Sequence, residues 1–329
     1  MRFLPDKFIS TLILAILIAS VLPVHGAAAY WFSLATKFAI GLLFFLHGAR
    51  LSRQAVVRGI VHWRLHLMVL AITFAVFPLI GLALGWGIPG LESSPFYLGI
   101  LFLCVLPSTV QSSIAFTSIA KGNVPAAIVS ASASNIIGMF LTPLLVGLLF
   151  TTQGDLSISL DALESILLQL LAPFILGQVM QPWIGSFIRR HNKGLGFVDR
   201  GSIVMVVYLA FSEAMEQGLW STVSGHDLTV MIAVNVGLLA LILSFTIISS
   251  KLLGFSREDQ ITIIFCGSKK SLASGAPMAS VIFPAAMVGT IVLPLMIFHQ
   301  IQLMACAFLA RRYAAQVPEH HLDAADQGL

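Results

Sequence analysis

Charged residues are scarce in this chain, since Asp, Glu, Lys and Arg make up 10% of its 329 residues and hydrophobic residues make up 58%. The mean hydropathy is +0.96. So little polar surface cannot cover a soluble globule of this length, and the composition therefore predicts an integral membrane protein. The net charge of +4 is small. No basic cluster with interleaved aromatic residues accompanies it, which argues against a nucleic-acid partner.

Cysteine and catalytic motifs are also sparse. The three cysteines, Cys104, Cys266 and Cys306, are odd in number and lie in apolar runs, so no disulfide framework is expected. The sequence has no GxxxxGK[ST], HExxH or GxSxG motif, and its acidic residues do not pair as catalytic dyads. These absences exclude an ATP-driven pump as a single chain and favour a protein that is not an enzyme. We expect no nucleotide, no cofactor and no metal centre.

Long apolar runs dominate what remains, and ten of them reach roughly the 20 residues that a helix needs to span a bilayer. They lie near 8–25, 32–49, 65–87, 96–120, 124–150, 163–187, 202–219, 228–250, 258–282 and 286–310. The connections are short and leave no room for a soluble domain. Only the polar tail 314–329 is predicted to be disordered. The sequence therefore predicts an all-α protein with ten transmembrane helices.

The distribution of positive charge orients these spans. In a ten-span arrangement, 15 of the 18 Lys and Arg residues fall on one side, which the positive-inside rule identifies as the cytoplasmic side. Both termini are then cytoplasmic. An alternative for the first span is a cleavable secretory signal, because Arg2, Lys7 and the run Ala27-Ala28-Ala29 imitate one. Its removal would leave the first half of the chain one span shorter than the second.

A repeated phrase relates the two halves. Val124-Pro125-Ala126-Ala127-Ile128-Val129 and Phe283-Pro284-Ala285-Ala286-Met287-Val288 are 159 residues apart, and the same offset places Gln111-Ser112 over Lys270-Ser271. Both pairs lie inside polar interruptions of apolar spans, which are Pro107-Ser-Thr-Val-Gln-Ser-Ser113 and Gly267-Ser-Lys-Lys-Ser271. Five spans per repeat is an odd number, so the pattern predicts inverted repeats, 1–155 and 156–313, with broken helices 4 and 9. Paired breaks of this kind are typical of the substrate site of a secondary transporter.

The two breaks supply most of the candidate site residues. Pro107 disrupts a helix, the hydroxyls can satisfy freed backbone groups, and the N-terminal ends of the second half-helices favour an anion. A buried lysine normally faces a cavity or a partner, and we expect one amine in the crossing and the other toward a vestibule. The predicted substrate-binding residues are Pro107, Thr109, Gln111, Ser112, Ser113, Asn135, Lys269, Lys270 and Ser271. The candidate ion-coupling residues are Ser112, Ser113, Ser130, Ser134, Ser268, Lys269 and Glu213.

Each of these assignments has a plainer alternative. The breaks could be two kinks padded by hydroxyls, and the lysines could extend to an interface. Asn135 is equally suited to a site and to clamping two helices together. Glu213 could gate cation entry or mark the outer end of its span, and His299 is better explained by packing.

Several stretches resemble the bile acid:sodium symporter superfamily, and in particular its SBF-like branch of bacterial symporters. They are Leu106-Pro-Ser-Thr-Val-Gln-Ser-Ser113, Phe116-Thr-Ser118, Lys121-Gly-Asn-Val124, Leu141-Thr-Pro143, Phe265-Cys-Gly-Ser-Lys-Lys-Ser-Leu-Ala273 and Pro294-Leu-Met-Ile-Phe-His-Gln-Ile-Gln302. The resemblance covers essentially the whole chain. It implies that helices 4 and 9 cross at the centre, with a panel domain of spans 1, 2, 6 and 7 and a core domain of spans 3–5 and 8–10. It also implies alternating access.

One departure from the sodium-coupled members of that superfamily bears on coupling. Their ninth-span pattern Glu-Val-Gly-x-Gln-Asn is replaced by Phe265-Cys-Gly-Ser-Lys-Lys270. Two sodium sites of the usual kind are therefore not expected. A fixed ammonium could replace one cation, which leaves one Na⁺ site, proton coupling or uncoupled exchange. The sequence thus predicts a secondary active transporter of a small organic anion, with Na⁺ or H⁺ as coupling ion. The alternative is a membrane sensor or regulator that keeps the fold without transport.

Overall fold

The computed structural model describes residues 7–50, 62–152, 160–216, 218 and 223–316, and all regular secondary structure within those residues is helical, with no β-strand. A π-helical turn, Ile72–Val76, joins the third and fourth helices. The helices are α1 (Lys7–Val21), α2 (Gly26–Arg50), α3 (Trp63–Ala71), α4 (Phe77–Gly87), α5 (Tyr97–Val105), α6 (Gln111–Ile119), α7 (Val124–Thr152), α8 (Leu160–Arg190), α9 (Asn192–Glu216), α10 (Gly225–Leu252), α11 (Arg257–Gly267), α12 (Leu272–Ile282) and α13 (Ala285–Ala315).

Seven helical stretches in the described ranges are long and apolar enough to cross a membrane. They comprise α2, the continuous segment α3–α4, α7, α8, α9, α10 and α13. Large hydrophobic side chains are exposed on outer surfaces, for example Phe38, Trp183 and Phe308, where lipid would cover them. The predicted helical membrane protein is confirmed at this level.

Two further pairs of short helices, α5 with α6 and α11 with α12, are each separated by a non-helical segment. We name these segments the first break, residues 106–110, and the second break, residues 268–271. Both coincide with the polar interruptions of the sequence. The predicted boundary between the repeats, at 155, lies outside the described residues. At the other end, α13 continues to Ala315, two residues into the predicted disordered tail, and residues 317–329 also lie outside the described part.

The helices surrounding the breaks are deeply buried. Every residue from Ile100 to Leu106 is inaccessible to solvent, and Phe102 and Phe283 stack edge to face with ring centroids 5.2 Å apart. The three cysteines are all buried and unpaired with one another. Both breaks are therefore enclosed by packed apolar side chains, and their polar groups must find partners within the protein.

Helices α2 and α8 touch backbone to backbone. A Cβ added to Gly48 would overlap the carbonyl oxygen of Phe174, and one added to Gly177 would overlap the carbonyl oxygen of Phe45. Small residues permit such close contacts between membrane helices. Within a bilayer the hydrophobic effect contributes little to helix association, so close packing matters more. This contact joins the second helix of the chain to the first long helix after residue 160.

Candidate functional site

The first break begins at the C-terminal end of α5, where neither Pro107 nor Ser108 donates a backbone hydrogen bond to the helix. Pro107 has no amide hydrogen, and the Ser108 amide, which would otherwise bond to Cys104 four residues earlier, donates instead to Ser134 Oγ at 3.0 Å. The helix resumes only at Gln111. The break is therefore fixed by one proline and by one hydroxyl supplied from α7.

Five consecutive carbonyls, from Cys104 to Ser108, each accept a hydrogen bond from outside their own helix. In chain order the donors are Lys270 Nζ, Thr142 Oγ1, Lys270 Nζ, the Ser271 amide and Asn135 Nδ2, at 2.7, 2.8, 2.8, 2.9 and 2.7 Å. A lone unsatisfied carbonyl at this depth would cost several kcal/mol. The backbone of the break is therefore completed by donors from Lys270, Ser271, Thr142 and Asn135.

The second break is held by α13 and by the first break. Both backbone groups of Lys270 bond to the buried side chain of Gln302, with the amide donating to Oε1 and the carbonyl accepting from Nε2, each at 2.9 Å. Ser108 Oγ donates to the Cys266 carbonyl at 2.6 Å. Ser271 Oγ caps α12 by accepting from the Ser274 amide at 3.2 Å. The two breaks are thus in direct contact with each other.

Asn135 on α7 bridges them a second time. Its Nδ2 donates to the Ser108 carbonyl at 2.7 Å and to the Ala131 carbonyl at 3.2 Å. Its Oδ1 accepts from Ser274 Oγ on α12 at 2.7 Å. These contacts show Asn135 clamping α7 to the first break and to α12 in this conformation.

The two lysines point in different directions, and both are completely buried. Lys270 Nζ reaches the π-helical turn, the last turn of α5 and the first break, where it donates to the carbonyls of Thr73, Cys104 and Leu106 at 2.8, 2.7 and 2.8 Å. It also lies 4.0 Å from the centroid of the Phe77 ring. From the sequence, we expect one of the two amines to face a vestibule. Neither lysine side chain is exposed to solvent in the structure.

Lys269 points instead toward the apolar cluster between α6, α11 and α13. Its Nζ lies 3.9 Å from the Phe116 ring centroid and 6.0 Å from that of Phe265. No hydrogen-bond acceptor contacts this Nζ within the described residues. Cation–π contact is its main polar interaction.

The remaining predicted residues separate into groups. Thr109 Oγ1 bonds to the hydroxyls of Ser112 and Ser113 at 2.7 and 3.0 Å, beside the N-terminus of α6, where Gln111 is exposed. Ser268 Oγ bonds back to the Ile264 carbonyl at 2.6 Å.

Ser130 and Glu213 lie apart from these contacts. The hydroxyl of Ser130 bonds to His66 Nδ1 at 2.7 Å, which directs it toward α3. Glu213 lines a separate cavity. The proposed ion-coupling residues are thus distributed over several places in this conformation.

Three contributors were absent from the predicted set, namely Gln302, Thr142 and Ser274. Gln302 could have been found from its own position, since a buried amide in the middle of an apolar 31-residue helix needs partners. The hydroxyls of Thr142 and Ser274 carry no such signal, because a small polar residue in a membrane helix often bonds only to its own backbone.

A cavity of about 480 Å³ lies between α2, α8 and α9 on one side and α12 and α13 on the other. Its polar lining comprises Ser33, Thr36, Lys37, Gln169, Glu213 and Ser280. The rest of its wall is aliphatic. A space of this size with a few polar groups suits a small amphipathic molecule.

Comparison with known proteins decides the family. A model of the SBF-like CPA transporter family matches residues 6–315. The chain belongs to that family. The resemblance drawn from the sequence is therefore confirmed.

Alignments with individual relatives cover most or nearly all of the chain. The uncharacterized protein PA2026 of Pseudomonas aeruginosa is 57% identical over 313 residues, which is 95% of this chain and 94% of the relative. The Escherichia coli protein named "Putative symporter YfeH" is 50% identical over 314 residues, again 95% and 94%. Sodium/bile acid cotransporter 7 of mouse (Mus musculus) is 26% identical over 270 residues, 81% of this chain and 79% of the cotransporter. A transporter family does not favour the alternative of a non-transporting sensor.

Proposed function

We propose that this protein is a secondary active transporter that moves a small organic anion across the bacterial inner membrane by alternating access. In this proposal the chain forms ten spans, with α3–α4, α5–α6 and α11–α12 each counting as one. Spans 1–5 and 6–10 are inverted repeats. A panel of α1, α2, α8 and α9 moves against a core made of the other helices.

The observation that carries the proposal is the direct contact of the two breaks. The Ser271 amide of the second break donates a hydrogen bond to the Pro107 carbonyl of the first break at 2.9 Å. Ser108 Oγ of the first break donates to the carbonyl of Cys266, which lies in α11 shortly before the second break. Broken helices that meet inside a membrane protein are typical of transporter substrate sites. A protein without a moving site would gain nothing from two such interruptions, each of which must be satisfied by several side chains.

The cavity beside Lys37 supports an anionic substrate. The helices that line it belong to the proposed panel on one side and to the proposed core on the other, so relative movement of the two would open or close it. Lys37 supplies positive charge, and Gln169 and Ser280 supply hydrogen-bonding groups. For the coupling ion we propose Na⁺ or H⁺, with Glu213 and the hydroxyls of Ser112 and Ser113 as the groups that would respond to it.

Transport is tested by uptake of a panel of labelled small carboxylates and sulfonates into proteoliposomes. A Na⁺ gradient and a proton gradient are imposed separately. Uptake above that of protein-free liposomes, driven by one of the gradients, is the expected result. Failure of every anion to accumulate or exchange under both gradients would refute the proposed function.

For an anion that is taken up, Lys37→Gln should raise the KM about tenfold or more, since a charge-assisted contact is worth roughly 1.5 to 3 kcal/mol. Lys251→Gln is the matched control, because Lys251 lies in the last turn of α10, away from the cavity. Equal KM values for both variants and the wild type would remove Lys37 from the site.

The proposed orientation is tested by labelling introduced cysteines with a membrane-impermeant maleimide. His191→Cys lies in the short connection between α8 and α9, and Glu92→Cys lies between α4 and α5. The first should react only from the cytoplasmic side and the second only from the periplasmic side. The native cysteines are buried and give a low background. Labelling of both positions from the same side would overturn the inverted arrangement.

A further inference from the structure

The ammonium group of Lys270 is surrounded by main-chain oxygens. Its three contacts, to the carbonyls of Thr73, Cys104 and Leu106, are 2.7 to 2.8 Å long, and the Phe77 ring closes another side with its centroid 4.0 Å away. We name the three oxygens and the ring the carbonyl cage. A charged amine has three N–H donors, and each of them meets one oxygen. A neutral amine has only two N–H donors and would turn its lone pair toward a carbonyl, so three close oxygens match the cationic form better than the neutral one.

The oxygens of the cage lack their usual backbone donors because of local features of the backbone around them. In the π-helical turn the Phe77 amide bonds to Ile72, five residues back. By the same spacing the Thr73 carbonyl would bond to residue 78, which is a proline without an amide hydrogen. The Thr73 oxygen is therefore left without a backbone donor.

The other two oxygens are freed at the end of α5. The Cys104 carbonyl loses its usual donor, the Ser108 amide, to Ser134 Oγ. The Leu106 carbonyl lies just beyond the last helical residue, Val105. Carbonyls at the C-terminal end of a helix carry partial negative charge. The π-helical turn and the C-terminal end of α5 thus present carbonyl oxygens without backbone donors to one point.

The dimensions of the cage suit a large monovalent cation. Oxygen distances of 2.7 to 2.8 Å exceed those of about 2.0 to 2.1 Å for Mg²⁺ and about 2.3 to 2.6 Å for Ca²⁺. Neutral carbonyl ligands, without a carboxylate, are the ligand type that potassium channels use for K⁺. The aromatic face adds attraction for a cation.

We propose that the carbonyl cage is a binding site for a large monovalent cation of the K⁺ or ammonium type, and that the Lys270 side chain is its permanently attached occupant. The protein then carries one cation in its core that cannot dissociate. Lys269 makes a different kind of contact, since no carbonyl oxygen receives its amine within the described part of the chain. The adjacent lysine is therefore an internal control.

The test is thermal unfolding of the purified full-length protein in detergent, with Lys270→Ala compared with Lys269→Ala and the wild type. Choline, Na⁺, K⁺, ammonium and propylammonium chlorides are added at equal ionic strength. Lys270→Ala should lose about 5 °C or more in Tm in choline, because three buried carbonyls lose their donor. K⁺, ammonium or propylammonium should restore part of that loss, and Na⁺ should restore less. The wild type and Lys269→Ala should not distinguish among these cations.

Absence of any cation-specific recovery in folded Lys270→Ala would overturn the proposal, as would the same recovery in Lys269→Ala. A second pair, Lys270→Met and Lys269→Met, covers the case in which the alanine variant does not fold. Methionine keeps most of the side-chain volume but offers the cage a methyl group. Lys270→Met should unfold at a lower temperature than Lys269→Met. Equal or higher stability of Lys270→Met would contradict an ammonium-filled cage. None of these measurements depends on transport.

Discussion

Gly177→Ala is expected to push α8 away from α2 and to destabilise the protein by about 3 kcal/mol, the upper end of the usual cost of overpacking. The added methyl group would meet the Phe45 carbonyl oxygen, which is part of a helix backbone and cannot rotate away. Gly48→Ala should act in the same way through the Phe174 carbonyl. The measurement is the unfolding temperature in detergent.

Gly41→Ala provides the matched control, because Gly41 is on α2 as well and a Cβ there has no neighbour within 4 Å. Replacing glycine by alanine in a helix is otherwise favourable by up to about 1 kcal/mol, so this variant should be as stable as the wild type or slightly more stable. The double variant of Gly48 and Gly177 should lose less than the sum of the single losses, since one displacement relieves both overlaps. Wild-type stability in Gly177→Ala would show that the helices are farther apart than the structure has them.

Asn135→Leu should be similarly damaging for a different reason. It leaves the Ser108 carbonyl without its side-chain donor and the Ser274 hydroxyl without the acceptor Oδ1, although Ser274 Oγ still accepts from Ser271 Oγ. A buried polar group without a partner costs about 1 to 3 kcal/mol, so the Ser108 carbonyl alone sets an expected loss of about that size. Uptake activity should fall with it, because the two breaks lose one of their connections.

A double-mutant cycle with Ser274→Ala separates this clamp from a general packing defect. Combined with Asn135→Leu, the serine replacement should cost little more than Asn135→Leu alone, because the bond is already lost. Strictly additive losses would show that Asn135 and Ser274 act independently. Asn135→Asp is a further comparison, since it keeps the acceptor for Ser274 and removes the donor for Ser108.

The positions of the two breaks could be predicted because their causes are local. Proline has no amide hydrogen in any context, so Pro107 must interrupt the hydrogen bonding of a helix. The hydroxyls clustered beside it indicate backbone groups that need partners. Insertion into a membrane could likewise be predicted from the composition, and the family could be predicted from short sequence motifs. The helical membrane architecture and the family assignment are the parts that the structure and the comparisons confirm.

The partners of the lysines could not be predicted in the same way. The Thr73 oxygen is available only because a π-helical turn shifts the register by one residue ahead of Pro78, and such a turn has no dependable sequence signal. Lys270 therefore looked like a residue facing a substrate when its donors are in fact used by the protein. The contact of Gly48 with Phe174 was equally hidden, since it depends on how two helices cross.

The carbonyls of the first break also impose an order on biogenesis. Cys104 and Leu106 receive their donor from a residue that follows them by 166 and 164 positions in the chain. At synthesis rates of about 5 to 20 residues per second, that residue leaves the ribosome roughly 10 to 30 s later. During this interval the half-made protein must keep these oxygens hydrated or bonded elsewhere. The end of α5 and the first break therefore cannot reach their final state before the second break arrives.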